Sequence, residues 1–147
     1  MAERQKRGFT LIELSIAVFI VALLMVLALP SYQRQLMNTR RSLGGAHLMQ
    51  VMLRQQQYFL DHKQFAQTLT DLGYPTSPYA IDAAGNPVSV SAGDRVYLIE
   101  LSLREDAYTL YATPQRSQTK DNLCGVLSLD FTGAKRVSGA GDARYCW

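Results

Sequence analysis

The hydrophobic positions separate an apolar N-terminal stretch from a mixed remainder. Residues 9–29 form a run of 21 residues with a single charged side chain, Glu13. As a helix this run would be about 30 Å long, close to the thickness of the hydrocarbon layer of a bilayer. The pattern therefore predicts a membrane-spanning helix near the start of the chain.

The helical pattern continues beyond the apolar run. Pro30 predicts a bend where the helix leaves the bilayer, because proline removes a backbone hydrogen bond. Apolar residues then recur with helical spacing, which predicts one long helix from Phe9 to about Leu60. Its second half is expected to pack on a globular head through a stripe of apolar side chains: Leu36, Leu43, Ala46, Met49, Leu53 and Leu60.

Two features of this helix lead to separate expectations. Met49 and Met52 are interpreted as ordinary core residues. Gly44 and Gly45 are expected to weaken the helix, by about 1 kcal/mol for each glycine, and to allow a second bend.

The remainder of the chain predicts loops and short strands. Residues 61–95 contain several prolines and glycines and are interpreted mainly as loops. Strand-like stretches follow at residues 96–103, 108–113, 126–130 and 134–137. The chain is therefore predicted to be an α+β protein, with a long N-terminal helix packed on a four-stranded antiparallel sheet.

Composition and charge limit the possible functions. The chain has 48% hydrophobic and 18% charged residues, which argues against disorder. Its 15 Lys and Arg exceed its 12 Asp and Glu, but residues 1–8 hold three of the bases and one of the acids. The rest of the chain is thus nearly neutral, and its charge gives no support to nucleic-acid binding. The bases before the apolar run place the N-terminus in the cytoplasm and the head outside it.

The junction between the basic residues and the apolar run has a recognisable sequence. A secretory signal peptide would place its small cleavage-site residue after the apolar core. Here Gly8 precedes that core, within the sequence Gly8-Phe9-Thr10-Leu11-Ile12-Glu13. This arrangement resembles the class III signal of type IV pilins and pseudopilins. The resemblance implies the type IV pilin fold, cleavage after Gly8 by prepilin peptidase, and N-methylation of Phe9.

The resemblance also assigns parts and roles. It implies a leader at residues 1–8, a transmembrane and assembly helix at 9–29, and a periplasmic head at 30–147 that includes the second half of the helix. A carboxylate within a membrane costs about 2.5–3.5 kcal/mol, so Glu13 is expected to have a function. In the family this acid pairs with the terminal amine of a neighbouring subunit, here that of Phe9, and the segment before Pro30 can partly melt. The simpler alternatives are a tolerated acid near the end of an anchor and a plain bend at Pro30.

Cys124 and Cys146 are expected to form a disulfide, because an exported head lies in an oxidising compartment. Closing this loop would stabilise the head by roughly 3 kcal/mol. The alternatives are a Cys/His catalytic pair or a metal site that uses His47 or His62. In pilins, a C-terminal disulfide of this kind bounds a patch on the filament surface.

Further stretches are similar to PilE-type minor pilins of the type IVa pilus, among them Tyr32-Gln33, residues 54–59 and 72–75, Cys124-Gly125 and Cys146-Trp147. The resemblance implies a minor pilin, incorporated into the filament or priming it, in adhesion and twitching motility. Its partners would be other pilins, prepilin peptidase and the inner-membrane assembly platform. It would lie in the inner membrane before assembly and at the cell surface afterwards. Neither an enzyme, a cofactor nor a metal is predicted.

Three alternatives remain. One is a major pilin. Another is a type II secretion pseudopilin, which would usually have a calcium-binding acidic loop, whereas Asp121, Asp130 and Asp142 are scattered. The third is a DNA-uptake pilin, in which a basic strip of Arg34, Arg40 and Arg41 would contact nucleic acid. Subunit contacts or lipid headgroups are the preferred interpretation of that strip.

Overall fold

The structure, a computed structural model, describes residues 9–147, apart from the side chain of Leu27. Its first element is helix α1, Leu11–His62, which is 52 residues long and includes Pro30 without interruption. The chain divides into two compact units, one that ends at Leu36 and one from Met37 to Trp147.

The first unit consists of the apolar half of α1. Among the described residues α1 is the one helix long and apolar enough to cross a membrane, and none of its most apolar window is buried. Leu11 is 84% exposed, Phe19 69% and Leu29 59%. The predicted long apolar helix is thus confirmed, and no part of the described chain buries the apolar side chains of its first half.

The second unit packs the rest of α1 on an antiparallel sheet. Six strands have the order β2-β1-β3-β4-β5-β6. They are β1 Tyr79–Ile81, β2 Pro87–Val88, β3 Tyr97–Arg104, β4 Ala107–Pro114, β5 Leu127–Asp130 and β6 Lys135–Val137. Two 3₁₀ turns, Thr70–Leu72 and Arg116–Lys120, and a short helix α2, Ala143–Cys146, complete the unit. The α+β fold class is confirmed.

The predicted number of four strands is wrong. The predicted strands correspond to β3–β6, whereas β1 and β2 lie in the segment that was expected to be mainly loops. β1 has only three residues, all of them buried, and it pairs with β3 in the register Tyr79↔Ile99. A strand this short has too few positions to show alternation, and its stability comes from a long-range pairing.

The face of α1 that packs on the sheet also differs from the prediction. Leu48, Val51 and Gln55 are fully buried, whereas Met49, Leu53 and Leu60 are 48%, 59% and 68% exposed. Most residues of the stripe that was predicted to face the head therefore lie on the exposed face of α1, and Met49 is not a core residue. Met52 does pack against the core, as does Leu43.

Small and polar residues on α1 account for this difference. A Cβ atom on Gly44 would lie 3.2 Å from the ring of Tyr97, and one on Gly45 would lie 3.4 Å from the ring of Trp147. Gln55 exchanges two hydrogen bonds of 2.9 Å with the backbone N–H and C=O of Ala66. The true contact face thus contains two glycines and a glutamine, and α1 is continuous through the glycine pair.

Both edges of the sheet are short. The edge strand β2 has two residues and begins with Pro87. The opposite edge, β6, has three residues and carries the exposed side chains of Lys135 and Arg136. Short strands, proline and charge are features by which natural sheets avoid pairing with other chains.

Candidate functional site

Gly8, on one side of the predicted cleavage bond, lies outside the described residues. Phe9, on the other side, is 87% exposed. Cleavage and methylation at this bond stay predictions.

Glu13 caps the helix in which it lies. Its Oε2 accepts a hydrogen bond from the backbone N–H of Thr10 at 3.1 Å and another from the Thr10 hydroxyl at 2.9 Å. The backbone N–H of Glu13 donates in return to the Thr10 hydroxyl at 3.3 Å. This reciprocal arrangement is a capping box. The spacing Thr10-x-x-Glu13 is its sequence signature, although this cap was not among the features predicted from the sequence.

The capping box uses only one of the two carboxylate oxygens of Glu13. Both hydrogen bonds end on Oε2, so within the described residues Oε1 is open to a further partner. A carboxylate can accept several hydrogen bonds. Capping its own helix and binding a cation from another molecule are thus compatible roles for Glu13.

Cys124 and Cys146 form the predicted disulfide, with Cα atoms 5.6 Å apart. Neither cysteine is free, which removes the Cys/His alternatives.

The two histidines have structural contacts. Nε2 of His47 lies 3.0 Å from the carbonyl oxygen of Gly85, and Nδ1 lies 3.1 Å from the hydroxyl of Tyr79. Because the carbonyl can only accept, Nε2 is assigned the proton and Nδ1 accepts from Tyr79. Burial lowers the pKa of His47. His62 is stacked on Tyr58 at the end of α1, with ring centroids 3.9 Å apart.

The three arginines of the predicted basic strip are not all free to contact nucleic acid. Arg41 is buried and donates two hydrogen bonds to the carboxylate of Asp121, at 2.8 and 3.0 Å. Arg40 donates to the hydroxyl of Ser117 at 2.9 Å, and Arg34 donates to the carbonyl of Pro30 at 3.3 Å. The charge of Arg41 is thus neutralised inside the head.

The acids considered for a calcium loop have local roles as well. Asp121 is the partner of Arg41. Asp130 accepts hydrogen bonds from the backbone of Thr132 and Ala134 in the β5–β6 turn. Asp142 caps α2 by accepting from the backbone N–H of Arg144.

A different basic surface, which was not predicted from the sequence, lies beside the disulfide. The ammonium of Lys135 lies 5.0 Å from the ring centre of Trp147, whose indole N–H donates to the carbonyl of Arg136 at 3.2 Å. Arg144 and Tyr145 follow on α2, and Tyr145 is 62% exposed. We call Lys135, Arg136, Arg144, Tyr145 and Trp147 the C-terminal surface. The sequence does contain a signal for this surface, because three basic residues and two aromatic residues lie within the last 13 positions.

Two family models together match most of the chain. The family model of the type IV minor pilin ComP, DNA uptake sequence receptor, matches residues 30–128. The model of the prokaryotic N-terminal methylation motif matches residues 4–29. The type IV major pilin protein PilA of Myxococcus xanthus (strain DK1622) is 29% identical over 90 residues, which are 61% of this chain and 40% of that protein. The chain thus spans less than half the length of this relative.

Proposed function

The chain belongs to the type IV pilin family, and from this membership we propose that it is a minor pilin subunit of a type IVa pilus. Pilins are structural proteins, so its activity would be assembly and not catalysis. In this proposal prepilin peptidase removes residues 1–8 and Phe9 is N-methylated. Residues 9–29 then anchor the subunit in the inner membrane, with residues 30–147 in the periplasm, until the assembly platform transfers it into a filament.

The exposed apolar half of α1 is the observation that carries this proposal. Fully burying one Leu or Phe side chain is worth about 1.5–3 kcal/mol, so an uncovered helix of this kind is unstable in water. Lipid covers it before assembly, and the helices of other subunits cover it afterwards. Because lipid is as apolar as leucine, helix packing and polar pairs must favour the filament over the membrane.

The outer face of α1 in the second unit supports the same proposal. Met49, Leu53 and Leu60 form an exposed stripe on a helix whose opposite face is already packed on the sheet. Exposed apolar patches are typical of protein contact sites. In a filament this stripe would pack against neighbouring subunits.

Glu13 would guide docking in this mechanism. Oε2 holds the capping box with Thr10, while Oε1 accepts the terminal amine of Phe9 from an adjacent subunit. The charge pair compensates a carboxylate that would otherwise be costly in an apolar environment.

The experiment compares Glu13→Ala with Thr10→Val in the native host. Glu13→Ala should still be inserted and cleaved, because insertion is easier without the charge, but it should be depleted from sheared pili. Thr10→Val removes the capping hydroxyl and keeps the carboxylate, so it should be incorporated at close to the wild-type ratio. Mass spectrometry of subunit ratios in sheared pili measures both. Glu13→Ala at the wild-type ratio, with normal twitching, would contradict the docking role.

The same subunit ratios separate the minor pilin from a major pilin. A minor pilin should be scarce relative to the main subunit of the shaft. A chain that makes up most of the sheared material would be a major pilin, and one absent from pili but required for secretion would be a pseudopilin.

DNA binding during uptake is a second candidate function, favoured by the family model that matches residues 30–128. The C-terminal surface has the chemistry that it requires. Its Lys and Arg side chains can neutralise phosphates, and the exposed ring of Tyr145 can stack on a base. Arg136 is paired with Asp130 only at 3.8 Å and its side chain is 75% exposed, so its charge is accessible.

The test of DNA binding uses the full chain in a nonionic detergent and a labelled DNA duplex. Replacing Lys135, Arg136 and Arg144 by Gln should weaken binding at least about tenfold and flatten its salt dependence, since each phosphate contact contributes to that slope. Arg144→Gln alone should weaken binding by a smaller factor, whereas Arg104→Gln, which removes one charge from the β3–β4 hairpin, should leave the affinity unchanged. Unchanged affinity in the triple variant would exclude this surface and leave the filament role untouched.

A further inference from the structure

A cleft separate from the C-terminal surface opens where α1 ends against the sheet. Its volume is about 600 Å³, and its lining comes from the end of α1, the following loop, the β3–β4 hairpin and the β5–β6 turn. This size falls in the range of small-ligand sites. We call it the aromatic cleft.

Three phenylalanines form its apolar wall. The rings of Phe59 and Phe65 have centroids 4.8 Å apart, and the ring of Tyr108 contacts Phe65 edge-on at 4.9 Å. The ring of Phe131 also contacts that of Tyr108, with centroids 6.5 Å apart. Phe59 is 40% exposed and Phe131 45%, so a supported aromatic wall is left accessible.

The rim carries an excess of negative charge. Glu105 and Asp106, in the β3–β4 turn, form no hydrogen bond or ion pair with any other described side chain. Lys63 also lines the cleft, but its ammonium donates to the carbonyl of Leu60 at 2.8 Å. That contact satisfies the C-terminal end of α1, where a cation is favourable. Arg104, next to Glu105, does not line the cleft.

The backbone is left-handed at two positions of the rim. Lys63 has φ 58° and Glu105 has φ 50°, and they are two of the three non-glycine residues with positive φ in the described chain. Left-handed backbone is common where a helix ends and in a two-residue hairpin turn, and here it ends α1 and forms the β3–β4 turn.

We propose that the aromatic cleft binds a basic peptide segment of a partner protein by accepting an arginine or lysine side chain. The aliphatic stem would lie on Phe59 and Phe131, the cation would face their rings, and Glu105 and Asp106 would pair with it. Aromatic faces attract cations, and free carboxylates add charge complementarity. This site is independent of filament packing and of DNA binding.

The probe is a fluorescein-labelled peptide with two arginines separated by glycine, titrated by anisotropy into the full chain in nonionic detergent. The same peptide with citrulline in place of arginine keeps the shape and removes the charge, so it should bind at least about tenfold more weakly. Glu105→Gln and Asp106→Asn should each weaken the arginine peptide about threefold, and together about tenfold. Asp94→Asn, which removes one exposed charge outside the cleft, should have no effect.

The aromatic wall is tested separately with Phe131→Leu, which keeps apolar bulk and removes the ring. It should weaken the arginine peptide about threefold and leave its salt dependence unchanged. Equal binding of the arginine and citrulline peptides, or unchanged binding by the Glu105→Gln/Asp106→Asn chain, would overturn the proposal. The two carboxylates are exposed, so this double variant should fold normally, which circular dichroism checks.

Discussion

His47 links three segments of the head through one side chain. Its ring lies on α1, contacts Tyr79 of β1 and holds the carbonyl of Gly85 in the β1–β2 turn. In the neutral imidazole both ring nitrogens form a hydrogen bond. A second proton would convert Nδ1 from acceptor to donor and break the Tyr79 contact as it stands.

This arrangement predicts a loss of stability in mild acid. Burial lowers the pKa of His47 in the folded state below its unfolded value near 6.5. The unfolded chain therefore binds the proton first, and the contribution of His47 is complete above pH 6.5 and is lost as pH falls through the lowered folded value. Thermal unfolding of the full chain in detergent at pH 7.5 and 5 should show a larger decrease for the wild type than for His47→Gln. His62→Gln, at the exposed end of α1, is the matched control, and an equal decrease in all three chains would contradict the assignment.

At the scale of elements, α1 shows where sequence reasoning succeeds and where it fails. The length and apolar character of its first half were predictable, as were strands β3–β6 and the disulfide. The contact face was not, because it contains Gly44 and Gly45, which have no side chain, and the polar Gln55, while the more apolar Met49 and Leu53 face outward. β1 and β2 were missed because pairing with β3, and not a local pattern, defines them. The capping box of Thr10 and Glu13 was readable from spacing alone.

Close packing at the glycine pair gives a prediction for α1. Gly44→Val should destabilise the head by about 1–3 kcal/mol, because the added carbons meet the ring of Tyr97. Ala46→Val places the same side chain on the exposed face and should cost about 0.5 kcal/mol, its helix propensity alone. Denaturant unfolding in detergent measures both, and similar losses would show that Gly44 is not a packing site.

The disulfide gives a second prediction at this scale. Cys124→Ser/Cys146→Ser should lower the free energy of unfolding by about 2–4 kcal/mol, because the cross-link restricts the unfolded chain. Without reductant, an alkylating agent should label neither cysteine of the native protein. Two reactive thiols in protein from the native host would show that the bond is absent there.

At the scale of the whole molecule, maturation is the main prediction. Intact-mass analysis of protein from the native host should give a chain that begins at N-methylated Phe9. Gly8→Leu should leave the precursor in the membrane, because a bulky residue replaces the small one at the cleavage bond. A mature mass that retains residues 1–8, or cleavage after residue 29, would contradict the proposed processing.

The short edge strands of the sheet affect how subunits would join in a filament. β2 has only two residues and β6 only three, so neighbouring heads would have almost no backbone to share, and we expect the sheet not to continue from one subunit to the next. Cross-β fibres owe their near-permanence to such shared backbone. A polymer of these heads would be joined through side-chain contacts alone. We therefore expect it to incorporate subunits of different sequence and to dissociate into intact single subunits.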